Sequence, residues 1–372
     1  MFSLEATEDG ARAGKLKLRS GVVETPFFMP VATFATGRGI GPRDYEECGV
    51  QAFISNSFLL SLKPGGDVVG KAGGLGRFMG FSGVTFTDSG GFQSSSEKMF
   101  VKASRRGVHL KSPFDGSTHV MTPERVMALQ ESLGSDVAMV IDDMAPPDAS
   151  REEFERALEN THRWARECKE SHSDEGQLLF AIVQGGYDEG LRKESAEHLS
   201  SLDFDGYAVG GCAIGEPKPD MYRAIRNTTP FLPDGRPRYL MGVGSPPDVL
   251  QAVSLGIDCF DSIFPTRNAR HRMIFTREGP YQLEKARFAD HSGPLEKGCG
   301  CWVCGKHSRA YVRHLTSLHE AEGMRLRQIH NVWFMMRLME DVRESIREGR
   351  FGAFKDRFLE SWFRGKVPNI YK

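Results

Sequence analysis

Three apolar runs of the sequence each end on an aspartate. These aspartates are Asp88, Asp142 and Asp261. A carboxylate at the point where a buried strand reaches the surface can act as a nucleophile or as a general base. Glycines and basic residues stand beside Asp88 and Asp261 in the sequence, where they let a backbone approach a ligand and supply charge for a phosphate. The pattern therefore indicates an enzyme.

Eight β-type runs precede residue 262, and helix signals lie between several of them. The predicted strands cover 26–31, 51–56, 84–87, 137–141, 178–184, 206–210, 238–243 and 256–260, and the helix signals cover 122–133, 150–170, 188–202 and 246–255. This alternation predicts an α/β fold, a closed parallel (β/α)8 TIM barrel whose strand ends surround one mouth. A doubly wound sheet is the alternative, although Gly242-Val243-Gly244 lacks the third glycine of a dinucleotide site.

A cluster of cysteines follows the last predicted strand. Cys299, Cys301 and Cys304 have the Cys-x-Cys-x-x-Cys spacing, which can place three thiolates on one zinc ion. The candidates for a fourth ligand are His307, His314, His319 and His330. A closed shell of three sulfurs and one histidine would give the zinc a structural role. Helical sequence follows, so we predict an appended zinc-binding helical subdomain; three unligated surface thiols are the alternative.

Composition limits the class of protein. The chain has 372 residues, is 40% hydrophobic and carries a net charge of −1, so a nucleic acid would have to bind a local basic patch. The strip that includes Arg267, Arg270, His271 and Arg272 is such a patch, and a solvated loop is the alternative reading. The first residues resemble no leader, no long apolar run is present, and four further cysteines are scattered. We therefore expect a cytoplasmic protein that binds no membrane.

Five motifs at the predicted strand ends carry a resemblance to a known family. They cover residues 87–93, 184–185, 210–211, 239–244 and 260–267. The chain resembles the tRNA-guanine transglycosylases of the bacterial type, which are pentosyltransferases. The resemblance implies a catalytic barrel over 1–275 and, over 276–372, a zinc-binding subdomain with C-terminal helices packed on the barrel. It also implies a homodimer and one structural zinc ion, with His330 as the fourth ligand.

The resemblance implies a role for each site residue. Asp261 would be the nucleophile that attacks the ribose of the wobble guanosine in tRNAs with GUN anticodons, giving a covalent intermediate. Asp88 would be the general base that takes a proton from the incoming base. The residues implied to bind the base are Asp142, Gln184, Gly211, Cys212, Phe92, Met241 and Glu216. Those implied to bind the anticodon loop are Arg267, Arg270, His271 and Arg272.

The identity of the incoming base depends on a few positions. Glu216 matches the glutamate that supports recognition of an aminomethyl group in the family, so we predict 7-aminomethyl-7-deazaguanine and a role in queuosine biosynthesis. Queuine is the alternative base, although Ile214 stands where queuine-using relatives carry glycine. The chain departs from the bacterial pattern at Met144, Cys212 and Leu59.

Two other classes of protein compete with this interpretation. A zinc hydrolase would need an open metal position near the aspartates, whereas the thiol-rich cluster lies outside the eight-strand run. A non-catalytic tRNA-binding partner subunit would have lost one of the two carboxylates. The sequence retains both Asp88 and Asp261.

Overall fold

The computed structural model describes residues 1–90 and 99–371. The strands in these ranges are β1 (Phe2–Glu8), β2 (Ala11–Leu18), β3 (Gly21–Thr25), β4 (Phe27–Met29), β5 (Ala52–Asn56), β6 (Val84–Asp88), β7 (Phe100–Ser104), β8 (Gly107–Lys111), β9 (Thr118–Met121), β10 (Val137–Met139), β11 (Leu178–Val183), β12 (Gly206–Val209), β13 (Arg238–Leu240), β14 (Cys259–Asp261), β15 (Met273–Ile274) and β16 (Tyr281–Gln282). The α-helices are α1 (Pro42–Glu47), α2 (Ser57–Leu62), α3 (Gly66–Lys71), α4 (Leu75–Met79), α5 (Pro123–Leu133), α6 (Arg151–Ser171), α7 (Glu189–Ser201), α8 (Lys218–Arg226), α9 (Pro246–Val253), α10 (Phe264–Arg270), α11 (Trp302–Lys306), α12 (Arg309–Ser317), α13 (Ala321–Arg347) and α14 (Phe351–Trp362).

Eight parallel strands form the barrel, in the order β4-β14-β13-β12-β11-β10-β6-β5. The first and last strands of this order, β4 and β5, also meet: just after β4, a parallel bridge joins Val31 to Ile54 of β5. The Ile54 N–H donates to the Pro30 carbonyl over 3.3 Å, and the Ile54 carbonyl accepts from Ala32 over 2.8 Å. These bonds close the sheet, so the predicted (β/α)8 barrel is confirmed and the doubly wound alternative is wrong.

All eight predicted strands are present, although several are shorter than predicted. Strand β13 ends at Leu240, whereas the sequence predicted it to 243. Gly242 has a φ of +76°, a left-handed conformation that ends the strand and turns its N–H toward Asp261. The predicted helices at 122–133 and 150–170 are also confirmed. The Thr122 and Ser150 side chains cap the first turns of α5 and α6.

Aromatic side chains fill part of the barrel interior. The buried Phe86 ring lies 6.1 Å from Phe27, 6.0 Å from Phe180 and 6.3 Å from Tyr239, measured between centroids. Tilted and edge-to-face pairs of this kind stabilise a core by about 0.5–1.5 kcal/mol each beyond the burial itself. The packing fixes Tyr239, whose hydroxyl reaches the mouth.

The two ends of the barrel differ. At the amino-terminal ends of the strands, Arg12 on β2 forms an ion pair of 3.3 Å with Asp258 and donates to the Asp234 carbonyl over 2.9 Å. The antiparallel sheet β1–β3 therefore covers that end. The opposite mouth receives the carboxyl ends of the eight strands, and in barrels of this kind it carries the active site.

The long helix α13 contacts β1, β2 and β4 as well as α1 and α9. Its buried Arg343 donates to the Pro26 carbonyl over 2.8 Å, directly before β4. Helix α13 thus packs on the barrel wall, while the boundary at residues 275 and 276 stays a prediction. Within the described part of the chain, no helix combines the length and apolar character needed to cross a bilayer.

Candidate active site

Asp261 lies at the carboxyl end of β14, at the open mouth. Its Oδ1 accepts two hydrogen bonds, one of 2.5 Å from the Tyr239 hydroxyl and one of 2.9 Å from the Gly242 N–H. Desolvation raises the pKa of Asp261, while these two bonds oppose the rise. Among residues 1–90 and 99–371, both bonds to this carboxylate go to Oδ1. Oδ2 is therefore the oxygen available to a substrate.

Asp88 ends β6 at the same mouth. Its Oδ2 accepts from the Asn56 side chain over 2.9 Å, and its Oδ1 accepts from the Gly90 N–H over 3.0 Å. Desolvation, with a contribution from the negative charge of Asp261, raises the pKa of Asp88 to about 7. The structure thus brings together two carboxylates in different environments. A group with a pKa near 7 can both accept and donate a proton at neutral pH.

A second polar group lies at the ends of β10, β11 and β12. The buried Asp142 accepts from Gln184 Nε2 through Oδ2 over 2.6 Å. Burial raises the pKa of Asp142 to about 6, so the group is mostly ionised at neutral pH. Gly211 has a φ of +68°, and a Cβ there would lie 2.9 Å from Gln184 Oε1. The glycine therefore leaves room for the amide that binds Asp142.

Cys212 follows Gly211 and is buried. Burial raises the pKa of its thiol to about 12. The side chain is thus a neutral packing group and not a nucleophile. Met241, in the loop after β13, and Met144, in the loop after β10, are both half-buried. Phe92, the other predicted wall of the base site, lies outside the described residues.

Sequence reasoning missed Arg192, a fully buried side chain of α7. Its guanidinium donates to three backbone carbonyls: Gly186 over 2.7 Å, Val183 over 2.9 Å and Gly210 over 2.8 Å. These carbonyls belong to the ends of β11 and β12, directly beside Gln184 and Gly211. An arginine in a charged amphipathic helix gives no sequence signal of such a role, because most arginines in that pattern face water.

Glu216 binds the loop after β12 instead of pointing freely into the mouth. Its Oε1 accepts from the Ala213 N–H over 2.6 Å, and its Oε2 accepts from the Ile214 N–H over 2.9 Å. Ala213 has a φ of +60°, which is unusual for a residue with a Cβ. In a trans peptide the carbonyl points opposite to the N–H. The carbonyls of Cys212 and Ala213 therefore point away from Glu216.

The predicted basic strip lies on and after α10. Burial lowers the pKa of Arg270, and so do the charges of Arg38 and Arg267, so both of these guanidinium groups lie near Arg270. The sequence did not identify Arg38, because it lies far from the strip along the chain. Arg272 pairs with Glu284, which partly neutralises it, and His271 is exposed.

Cys299, Cys301, Cys304 and His330 form one group that can hold a metal ion. Their Sγ atoms and the histidine nitrogen lie within 4.8 Å of one another. His330 Nε2 donates to the Phe275 carbonyl over 2.9 Å, so Nδ1 faces the thiols with a free lone pair. His307 instead stacks on Tyr311 at 5.0 Å. The donor set is typical of a closed structural site.

Comparisons with known proteins match nearly the whole chain to a single family. The family model described as queuine tRNA-ribosyltransferase matches residues 7–364. The chain is 47% identical over 353 residues to a queuine tRNA-ribosyltransferase of Pelotomaculum thermopropionicum, covering 95% of each protein. It is 44% identical to proteins of the same name from Symbiobacterium thermophilum, covering 96% of this chain and 90% of the relative, and from Lysinibacillus sphaericus, covering 97% and 95%. The matched span includes the eight barrel strands and the cysteine cluster.

Proposed function

The chain belongs to the queuine tRNA-ribosyltransferase family, and we propose that it is a tRNA-guanine transglycosylase that exchanges the wobble guanine of tRNAs with GUN anticodons for 7-aminomethyl-7-deazaguanine. The enzyme is a pentosyltransferase. The observation that carries the proposal is the pair of differently held carboxylates, Asp261 and Asp88, at one mouth. Two displacements at the same carbon give net retention.

Asp261 is the proposed nucleophile. Tyr239 and Gly242 hold Oδ1, which leaves Oδ2 to attack the anomeric carbon of the ribose. The bond from this carbon to the guanine nitrogen breaks, and its electron pair leaves with guanine, which takes up a proton from the solvent. The ester bond between Asp261 and the ribose forms at the same centre.

Asp88 is the proposed general base. The incoming base must lose a proton from its ring nitrogen as that nitrogen attacks the same ribose carbon and displaces Asp261. A pKa of about 7 suits this transfer, because the carboxylate form is well populated and is still basic enough to take the proton.

The proposed base site consists of Asp142, Gln184 and the backbone near Gly211, which offer acceptors and donors to the pyrimidine edge. Asp142 is ionised at neutral pH and can accept from two adjacent N–H groups of a guanine-like base. Met241 would pack against one face of the ring, and Phe92 is proposed for the other face. Cys212 would line the pocket as a neutral side chain.

The orientation of the Glu216 loop favours an aminomethyl substituent on the base. With the N–H groups of Ala213 and Ile214 bound to Glu216, the preceding carbonyls are free to accept from an ammonium group. The alternative incoming base is queuine, which another branch of the family uses. This larger base would need space that Ile214, as a branched side chain, would occupy.

Further proposals concern the partner, the metal and the assembly. Arg267, Arg270 and His271 are proposed to bind anticodon-loop phosphates, together with Arg272. Three thiolates and His330 Nδ1 suit one Zn²⁺, which would hold the segment after β16 to α13. We also propose a cytoplasmic homodimer.

The test is incubation of the protein with labelled guanine and unmodified tRNA. Acid-precipitable label in tRNA with a GUN anticodon, and none in tRNA with another wobble base, is the expected result. Release of guanine without capture of a new base would instead indicate a hydrolase. Binding of tRNA with neither release nor capture would indicate a non-catalytic partner subunit.

A further inference from the structure

Two exposed aromatic rings meet beside the mouth. The side chains of Phe34 and Phe114 are 44% and 49% exposed, and their ring centroids are 6.1 Å apart with 61° between the planes. The Lys63 ammonium lies 5.6 Å from the centroid of the Phe114 ring. We call these three residues the aromatic platform. Its two rings form an open corner with a cation over one of them.

The backbone holds Phe34 outward. Ala35, the next residue, is buried with a φ of +58°, and its N–H donates to the Ala32 carbonyl over 2.9 Å. A left-handed alanine is costly and persists only where the surroundings enforce it. The exposed ring is therefore part of a fixed turn, and its exposure calls for a functional explanation.

The barrel order places two members of the platform, Phe34 and Lys63, between the two carboxylates. Around the mouth, β14 with Asp261 is followed by β4, β5 and then β6 with Asp88. Phe34 lies in the loop after β4, and Lys63 ends the helix that follows β5. The backbone N–H of Asn56 donates to the carbonyl of Thr33 over 3.3 Å, and the side chain of Asn56 binds Asp88. The residue before Phe34 is thus one hydrogen bond away from Asn56, the residue that holds Asp88.

Charge favours a nucleic acid as the occupant. In the described part of the chain, Lys63 has no carboxylate within ion-pair distance, and the same is true of Arg38 and Arg267. Arg38 lies in the same loop as Phe34, so this loop joins the platform to the basic group near Arg270. Aromatic faces beside unpaired cations stack unpaired bases and bind their phosphates.

We propose that the aromatic platform stacks an unpaired base of the tRNA loop, one that neighbours the exchanged nucleotide. The proposal rests on the proposed function, because that function brings the RNA loop to this mouth. Stacking the neighbour would hold the strand open while its adjacent nucleotide occupies the pocket. It would add affinity for RNA without touching the exchanged base.

The test is binding of an anticodon stem-loop RNA with 2-aminopurine on either side of the wobble position. The variant Phe34→Leu/Phe114→Leu keeps apolar bulk but removes the rings. We expect it to weaken binding by about 5- to 100-fold, to abolish quenching of one 2-aminopurine and to leave KM for guanine unchanged. Phe34→Tyr should retain the wild-type quenching.

A matched control is Phe78→Leu. Phe78 is an aromatic residue on α4, 37% exposed, before the amino-terminal end of β6. The Phe78→Leu variant should bind RNA with the affinity of the wild-type protein. Lys63→Gln should lower the slope of log affinity against log salt by about 1.

Unchanged RNA affinity and quenching in the double leucine variant would overturn the proposal. So would a change confined to the oligomeric state, since that would assign the platform to a second copy of the chain. A failure of the proposed function looks different, because then the wild-type protein would incorporate no labelled guanine. The RNA-binding measurement is independent of that result.

Discussion

The Asn56 side chain donates from Nδ2 to Asp88 Oδ2 over 2.9 Å while its Oδ1 accepts from the Leu59 N–H over 2.7 Å. The second bond caps helix α2. Because an amide has one donor side and one acceptor side, the cap fixes which side faces Asp88. The donor stabilises the charged carboxylate and orients it, against the desolvation that raises its pKa. The proposed general base is thus positioned by the first turn of a helix.

We expect Asp261→Asn to abolish base exchange. The amide oxygen can still accept from Tyr239 and Gly242, so the loop should keep its conformation. The variant lacks the second carboxylate oxygen that would bond to the ribose, and the rate should fall by at least about 10³-fold. A denaturing gel should show a covalent RNA adduct with the wild-type protein and none with the variant. An adduct that persists would move the nucleophile to another residue.

We expect the capture of a base by the preformed adduct to depend on pH through Asp88. Only the carboxylate form accepts a proton, so the rate should rise with pH and level off above about 7. Below that pH it should fall about tenfold per unit. The negative charge of Asp261 helps to raise the pKa of Asp88, and this charge is lost when Asp261 forms the ester with the ribose. In the adduct, the midpoint of the pH–rate curve should therefore lie at or slightly below pH 7. Single-turnover rates with Asp88→Asn should be pH-independent and at least about 100-fold slower. If the rate of Asp88→Asn still fell below pH 7 as in the wild-type protein, the titrating group would be another residue.

The sequence predicted the barrel and its mouth because strand ends carry local signals, namely apolar runs that stop at aspartate or glycine. It did not reveal Arg192, because an arginine in a charged helix usually faces water. It also did not reveal Arg38 or the partners of Asp261, because only the fold brings these residues to the mouth. Tyr239 belongs to the motif at residues 239–244, yet only the barrel geometry turns its hydroxyl to Asp261. The resemblance implies that Glu216 supports recognition of an aminomethyl group. Its bonds to two backbone N–H groups depend on the left-handed Ala213, which no local sequence pattern indicates.

We expect one zinc ion per chain, held by the three cysteines and His330. Cys301→Ser and His330→Ala should lose the metal and lower the melting temperature, because a structural site stabilises the folded state. Metal analysis of purified protein measures the first effect and thermal unfolding the second. The control is His307→Ala, whose ring stacks on Tyr311 outside the cluster. Zinc loss in the control with full retention in His330→Ala would reassign the ligand.

We expect Arg192→Met to raise KM for the incoming base more than KM for tRNA. The change removes the donor to the Gly186 and Gly210 carbonyls, while the Val183 carbonyl keeps its bond from the Gly210 N–H over 2.9 Å. Each lost bond costs about 1–3 kcal/mol and loosens the loops beside Gln184 and Gly211. The control is Arg238→Met, a buried arginine at the other end of the barrel that donates to the Leu232 carbonyl. It should lose stability with unchanged KM values. Equal effects of the two variants on both KM values would make the role of Arg192 merely structural.

We expect Ile214→Gly to admit queuine. The side chain of Ile214 is half-buried, and its backbone N–H binds Glu216, so its position is fixed by the same loop that is proposed to accept the aminomethyl group. Steric overlap with a larger base would cost at least about 1.4 kcal/mol, which gives roughly 10-fold discrimination or more. The wild-type protein should therefore have a higher kcat/KM for 7-aminomethyl-7-deazaguanine than for queuine, and the variant should narrow this ratio. Met144→Ala is the comparison, because it removes a flexible wall without changing the loop. Comparable kcat/KM values for both bases in the wild-type protein would instead identify a queuine-salvaging enzyme.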